Sequence, residues 1–205
     1  NYRTITATSS IWDALVQYIK SEKAPKWRGK LIAVFAMSEL LKETTRETIQ
    51  DYFKCPMYSY YANEENGAFA IEDGSGYGHL LNTVDYYFEV LKMDSDELAE
   101  DGEVGRLVIT DYFNKAFPII RYENGDLVSI RHMDDGRVYI ETIMGRIADV
   151  LYTVDGKMTD IFHAISFLEP CQDIKQFQLV QDDYDKLTWI LNTTNHSYEE
   201  FIVEE

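Results

Sequence analysis

Cysteine is nearly absent: Cys55 and Cys171 are the two in 205 residues. With no signal peptide ahead of them and no Cys-x-x-Cys pair, a disulfide framework is not expected. His79, His132, His163 and His196 show no metal-ligand spacing, so there is no case for zinc. Long apolar runs are also missing. The longest candidate, Leu31 to Met37, is strand-sized, which leaves no membrane span. Basic charge is scarce, with 19 Lys and Arg against 36 Asp and Glu and a formal net charge of −17. That balance excludes a nucleic-acid footprint, which needs cations to displace counterions. It also excludes a basic amphipathic face on lipid. Hydrophobic content of 45% with 14% aromatics makes this a folded chain rather than an acidic disordered one. A reducing, cytoplasmic setting is the expectation. The opening Asn1-Tyr2-Arg3-Thr4 carries no leader and no initiating Met, which suggests a piece of something longer.

Apolar residues at helical spacing (Ile11, Leu15, Ile19, with Trp12 and Val16) predict a helix over 9–22, capped by Ser9 or Ser10. Ala24-Pro25-Lys26-Trp27-Arg28-Gly29 breaks it. Leu31 to Met37 has the pattern of a strand buried on both faces. A helix from Glu43 to Phe53 and an aromatic strand over Met57 to Tyr60 follow. This alternation is α/β organisation. After Gly78 the pattern changes to short runs: Tyr86 to Leu91, Arg106 to Thr110, Leu127 to Ile130 and Val138 to Ile143. Turn signals at Asp101-Gly102, Asn124-Gly125 and Asp135-Gly136 separate them. Helix is expected there only in the acidic stretch Asp94 to Asp101. Beyond Gly145 come a strand over Val150 to Val154, a helix over Thr159 to Leu168, and strands over Gln176 to Gln181 and Leu187 to Leu191. Tyr198 to Val203 reads as the first turn of another helix. The expected architecture is therefore a partial α/β layer (1–78), a small β-barrel-like subdomain (79–144), a hinge (145–149) and an incomplete α+β C-terminal domain (150–205).

Two tempting motifs fail on their chemistry. Gly74-Ser75-Gly76-Tyr77-Gly78 lacks the Lys and following helix of a phosphate loop, and Glu72-Asp73 would repel an anion, so it is read as a turn. Ser38 follows a buried strand, but Ala36 and Glu39-Leu40 do not supply the glycines of a nucleophile elbow.

Asn124-Gly125-Asp126 alone is only a hairpin signal. With its neighbours it says more. Glu103-Val104-Gly105-Arg106-Leu107-Val108-Ile109-Thr110, then Pro118-Ile119-Ile120-Arg121-Tyr122-Glu123-Asn124-Gly125-Asp126-Leu127, resembles the long signature G-E-x-G-E-L-V-x-T…P-L-I-R-Y-x-T-G-D of adenylate-forming enzymes. Tyr61 to Ala70 is similar to the segment Y-G-x-x-E-x-G-x-x-A. Met37-Ser38-Glu39-Leu40 and Gly145-Arg146-Ile147-Ala148-Asp149 fall where the superfamily has a pocket-lining segment and its G-R-x-D-D hinge. The ending, Val154 to Met158 and Gln176 to Gln181, resembles the phenylacetate–CoA ligase-like branch, which includes proteins associated with capsular polysaccharide synthesis.

The resemblance implies roles residue by residue. Asp126 would hold the ribose hydroxyls, which suit the two acceptor oxygens of a carboxylate. Tyr61 would pack on adenine, Glu65 would help hold Mg²⁺, and Arg146 would reach ribose or phosphate. The backbone at Ser38 and Glu39 would line the adenine and acyl pockets. Implied partners are ATP or AMP, Mg²⁺, a carboxylate substrate and, as one acceptor, CoA, with no nucleic acid and no membrane; a homo-oligomer is left open. The chain departs from the pattern at Ala62, Asn124 and Ala148. The superfamily's phosphate-holding loop and C-terminal Lys are not among these residues, so nucleotide binding by this stretch alone is expected to be weak and turnover absent. The rival expectation is a non-catalytic acidic α/β module that keeps the fold for protein contacts.

Overall fold

The computed structural model describes residues 3–21, 24–159, 168, 174–193 and 200–202. It begins with β1 (Thr4–Thr8), α1 (Ser9–Lys20), β2 (Ala33–Met37), α2 (Glu43–Phe53) and β3 (Met57–Asn63). The three strands run parallel, with Thr4 opposite Ala33 and Val34 opposite Met57. The helices form because their apolar residues recur on one face. Trp12 and Val16 of α1, and Ile49 and Phe53 of α2, are buried with Val34, Ala36, Cys55 and Met57. Trp12 Nε1 also donates to the Phe35 carbonyl at 3.0 Å, so the indole is satisfied as well as buried. Lys54 ends α2 in the left-handed conformation. The strand β1 is not among the predicted elements; the other four lie close to their predicted places.

The chain continues through β4 (Gly67–Glu72), β5 (His79–Leu81), β6 (Tyr86–Leu91), β7 (Gly105–Asp111), β8 (Tyr122–His132) and β9 (Val138–Arg146). All nine strands form one sheet in the order β1-β2-β3-β4-β5-β9-β8-β7-β6. The expected α/β class holds, but the barrel-like expectation is corrected: among the described residues this sheet is open. Its second core gathers Phe69, Leu81, Tyr86, Val90, Leu107, Ile109, Val128 and Ile140. The sheet crosses Gly78 without a break, because β4 pairs with β5 and β5 with β9.

Two further expectations change here. Asp94 to Asp101 is not helical; Leu91 bridges Leu98, and Ala99 N–H donates to the Val90 carbonyl, so the segment lies along β6. Asn124-Gly125 is not a turn, since β8 runs through it with Gly125 at φ 82°. A positive-φ glycine inside a strand marks a kink rather than a chain reversal.

The Gly74–Gly78 segment is a turn, as its flanking acids suggested. Ser75 and Tyr139 donate to the Asp73 carboxylate, and these bonds, with Arg137 nearby, hold its pKa down at about 2.

The structure divides into two compact units, Asn1–Asn124 with Val128–Ile143, and Gly125–Leu127 with Met144–Glu205. In the second, a 3₁₀ turn (Ile147–Asp149) precedes the pair β10 (Leu151–Tyr152) and β11 (Met158–Thr159). A separate antiparallel sheet holds β12 (Ile174–Asp183), β13 (Lys186–Thr193) and β14 (Glu200–Ile202). The Gln181 side chain both accepts from and donates to the Tyr152 backbone, which ties β12 to β10. The helix expected over 159–168 falls mostly outside the described residues, and Thr159 itself is in a strand. The turn of helix expected over 198–203 is corrected, because Glu200–Ile202 pairs with β13. No helix among the described residues is long and apolar enough to cross a membrane.

Candidate functional site

The signature residues fall into small clusters. In the first unit, Tyr61 stands on β3 with its ring 4.7 Å from that of Phe69. Its hydroxyl accepts a hydrogen bond from Asn124 Nδ2 at 3.1 Å, across 63 positions of sequence. Asn124 is buried on β8. Glu65 lies exposed in the turn joining β3 to β4, where the Tyr122 hydroxyl donates to its Oε1 at 2.8 Å. That turn is built from side chains. Asn63 Oδ1 accepts from the Asn66 N–H at 2.7 Å, and Gly67 supplies the φ of 75° that restarts the strand.

Ser38 and Glu39 leave β2 in a different direction. Ser38 has φ 69°, a left-handed conformation that a non-glycine residue adopts at a cost. The turn is latched to the start of α1. Ser9 Oγ donates to the Glu39 carbonyl at 2.9 Å, and the Ser10 N–H donates to Glu39 Oε2 at 2.6 Å. A carboxylate on the first turn of a helix satisfies an orphan N–H and meets the positive end of its dipole. The Glu39 side chain is thus engaged in holding α1.

In the second unit, Arg146 Nε donates to Asp126 Oδ1 at 2.9 Å. The Asp126 side chain is 11% exposed and that of Arg146 61%. The pair therefore joins an almost buried carboxylate to a guanidinium that reaches solvent. Gly125 precedes Asp126 in the left-handed region, and Gly145 precedes Arg146 with φ 112°. Each charged partner thus follows a glycine that a side chain would strain.

Sequence reasoning named Tyr61, Glu65, Asp126 and Arg146 but missed their supports. Tyr122 and Asn124 stand four and two positions before Asp126 on one strand, and this spacing of two along β8 was the available signal. Asn124, read as a departure from the pattern, is the residue that reaches Tyr61. Arg121 was also passed over. It has φ 49°, with its N–H held by Thr110 Oγ1 and its guanidinium paired with Glu89 at 3.1 Å. No cluster of three or more His, Cys, Asp or Glu side chains suited to a metal occurs among the described residues. Glu65 is an exposed carboxylate beside the equally exposed Glu64.

The fold that carries these clusters is that of the adenylate-forming CoA ligases. A 2-hydroxyisobutyryl-CoA ligase, solved in its postadenylation state with 2-HIB-AMP, superimposes over 92% of this chain with a TM-score of 0.74 and 19% identity. O-succinylbenzoate coenzyme A synthetase from Bacillus subtilis, solved with AMP, covers 92% with a TM-score of 0.63 and 14% identity. TM-scores of this order establish the shared fold. Among curated proteins, the chain is 27% identical over 182 residues to Protein CapK of Staphylococcus aureus. No family model matches. The chain spans about two fifths of the length of these proteins: 38% of Protein CapK and 42% and 40% of the two ligases.

Proposed function

We propose that this chain forms part of an ATP-dependent ligase that activates a carboxylate as an acyl-adenylate. The acyl group then passes to a thiol such as CoA, in the setting of capsular polysaccharide synthesis. The observation that carries this reading is the Asp126–Arg146 pair. Two residues that the signature sets 20 positions apart meet at 2.9 Å, on a fold shared with solved ligases.

In the proposed reaction a carboxylate oxygen attacks the α-phosphorus, pyrophosphate leaves, and the acceptor thiol then displaces AMP. Such chemistry depends chiefly on positioning and on neutralising phosphoryl charge. Asp126 would hold the ribose through its carboxylate, with Arg146 fixing its orientation and reaching toward ribose or phosphate. Tyr61 would pack against adenine, its hydroxyl steadied by Asn124. With the Glu39 side chain capping α1, the segment after β2 is left to act through backbone at Ser38 and Glu39. Mg²⁺, held in part by Glu65, would supply charge neutralisation at the phosphates.

Gly145, at φ 112°, is the proposed pivot between the two units. The test is carboxylate-dependent exchange of pyrophosphate into ATP by the full-length protein. Replacing Asp126 by Asn should lower it by about ten- to a hundredfold, the worth of hydrogen bonds to a charged group. Exchange that is absent with every carboxylate tried, in a folded protein, would favour the non-catalytic module instead.

A further inference from the structure

The cations of this protein are unevenly spent. Most of those outside one loop sit against carboxylates, from Lys42 with Asp13 to Lys186 with Asp182. A group of cations without such a partner lies between α1 and β2. There Lys26, Arg28 and Lys30, together with Arg3 just before β1, have no carboxylate within ion-pair distance among the described residues. In a chain with 36 acids and 19 bases, unpaired cations gathered in one place need a reason.

Two of them, Arg3 and Lys30, line a cavity of about 880 Å³ together with Thr4, Ile5, Trp27, Gly29 and Leu31. The Ile32 N–H donates to the Arg3 carbonyl at 2.7 Å, which fixes Arg3 beside the entry to β2. Trp27 is 40% exposed and is held in place from two sides. Its ring meets Phe53 edge-on at 4.9 Å, and it lies over Gly29 so closely that a Cβ there would stand 2.4 Å from its Cζ2. The Tyr52 hydroxyl donates to the Pro25 carbonyl at 2.7 Å, which anchors the start of the loop. A fixed, half-open indole beside unpaired guanidinium and ammonium groups suits an anion that carries a flat ring.

The cavity stands at the amino ends of β1 and β2. Ser38 and Glu39 stand at the carboxyl end of β2, one strand length of about 16 Å away. It is therefore separate from the Ser38–Glu39 segment of the nucleotide reading above.

We propose that Arg3, Trp27 and Lys30 form a second binding site, for a small phosphorylated ligand bearing a ring, with Lys26 and Arg28 raising the local potential. The probes are phenyl phosphate and inorganic phosphate, titrated into the 205-residue chain at low salt and followed by calorimetry and tryptophan fluorescence. Phenyl phosphate should bind saturably at one site, about two- to tenfold more tightly than inorganic phosphate, because its ring meets the indole. Trp27→Ala should abolish that preference while leaving phosphate binding. Arg3→Gln with Lys30→Gln should weaken both probes about tenfold or more, and Lys157→Gln should weaken neither. All of these positions are exposed, and unchanged thermal melting will verify folding. Equal binding by the Arg3/Lys30 variant, or no saturable binding at all, would overturn the proposal. So would displacement of phenyl phosphate by poly-glutamate at much lower concentration, which would assign the loop to an acidic protein face.

Discussion

Gly76 and Gly78 sit two residues apart in one turn, both with positive φ, yet they should respond very differently to a methyl group. At Gly78, φ is 106° and an added Cβ would lie 2.1 Å from the Ile140 carbonyl oxygen and 3.3 Å from the Glu141 Cα. Those are backbone atoms of β9, and Ile140 is fully buried, so nothing there can swing aside. At Gly76, φ is 83° and nothing lies within 4 Å. Gly76→Ala meets only the dihedral penalty of about 1–2 kcal/mol. This is offset by about 0.4–1 kcal/mol from the stiffer unfolded chain.

Gly78→Ala carries the same terms plus an overpacking cost of about 1–3 kcal/mol. The net expectation is a loss of about 1–4.6 kcal/mol at Gly78, against about 0–1.6 kcal/mol at Gly76, a difference of about 1–3 kcal/mol. For a chain of this length each kcal/mol is worth about 2–4 °C in Tm. Urea unfolding monitored by circular dichroism, with m unchanged, measures the difference directly. Equal losses at the two positions would show that close approach to β9 is not what requires glycine at 78.

Other outcomes follow from the same structure. Burial and Arg46 lower the pKa of His79 although Glu72 opposes them, so the unfolded state takes up a proton first. Stability should fall as pH drops through about 6.5, the unfolded value, toward the folded one. His79→Gln should flatten that limb of a pH–stability profile. Asp73 is held at about 2, below its unfolded value of 3.8, so its contribution is complete above 3.8 and is lost as pH falls through about 2. Asp73→Asn should remove that acid-side dependence.

The Tyr61–Asn124 bond should give a coupling of about 0.5–1.5 kcal/mol in a double-mutant cycle of Tyr61→Phe and Asn124→Ala. Additive effects would refute it. Glu39→Ala should cost about 0.5–2 kcal/mol, since α1 loses the carboxylate on its Ser10 N–H, and chemical denaturation will read this.

The local elements were legible because periodicity and punctuation are written in adjacent residues. Glu43–Phe53 has helix-spaced apolar residues, and Tyr86–Leu91 is a short run, apolar except for Glu89, between turn residues; both emerged at their predicted bounds. The signature through Asp126 was legible for the same reason, as a contiguous run. What the sequence could not carry was how segments far apart along the chain pair. Asn-Gly is a turn when two strands must reverse and a kink when one strand continues, and β8 continues through it. Closure of a barrel likewise depends on whether edge strands meet, and the order from β1 to β6 leaves them apart.

The acid stretch after Leu91 had helix-like composition but lies along β6, where the Val90 carbonyl accepts from Ala99. The sequence alone determined which residues the resemblance singles out for a nucleotide. Only the tertiary structure decided that Asn124 supports Tyr61, that Glu39 caps a helix 29 residues away, and that Arg3 and Lys30 line one cavity with Trp27. Such contacts depend on the pairing of distant segments, which no local pattern encodes.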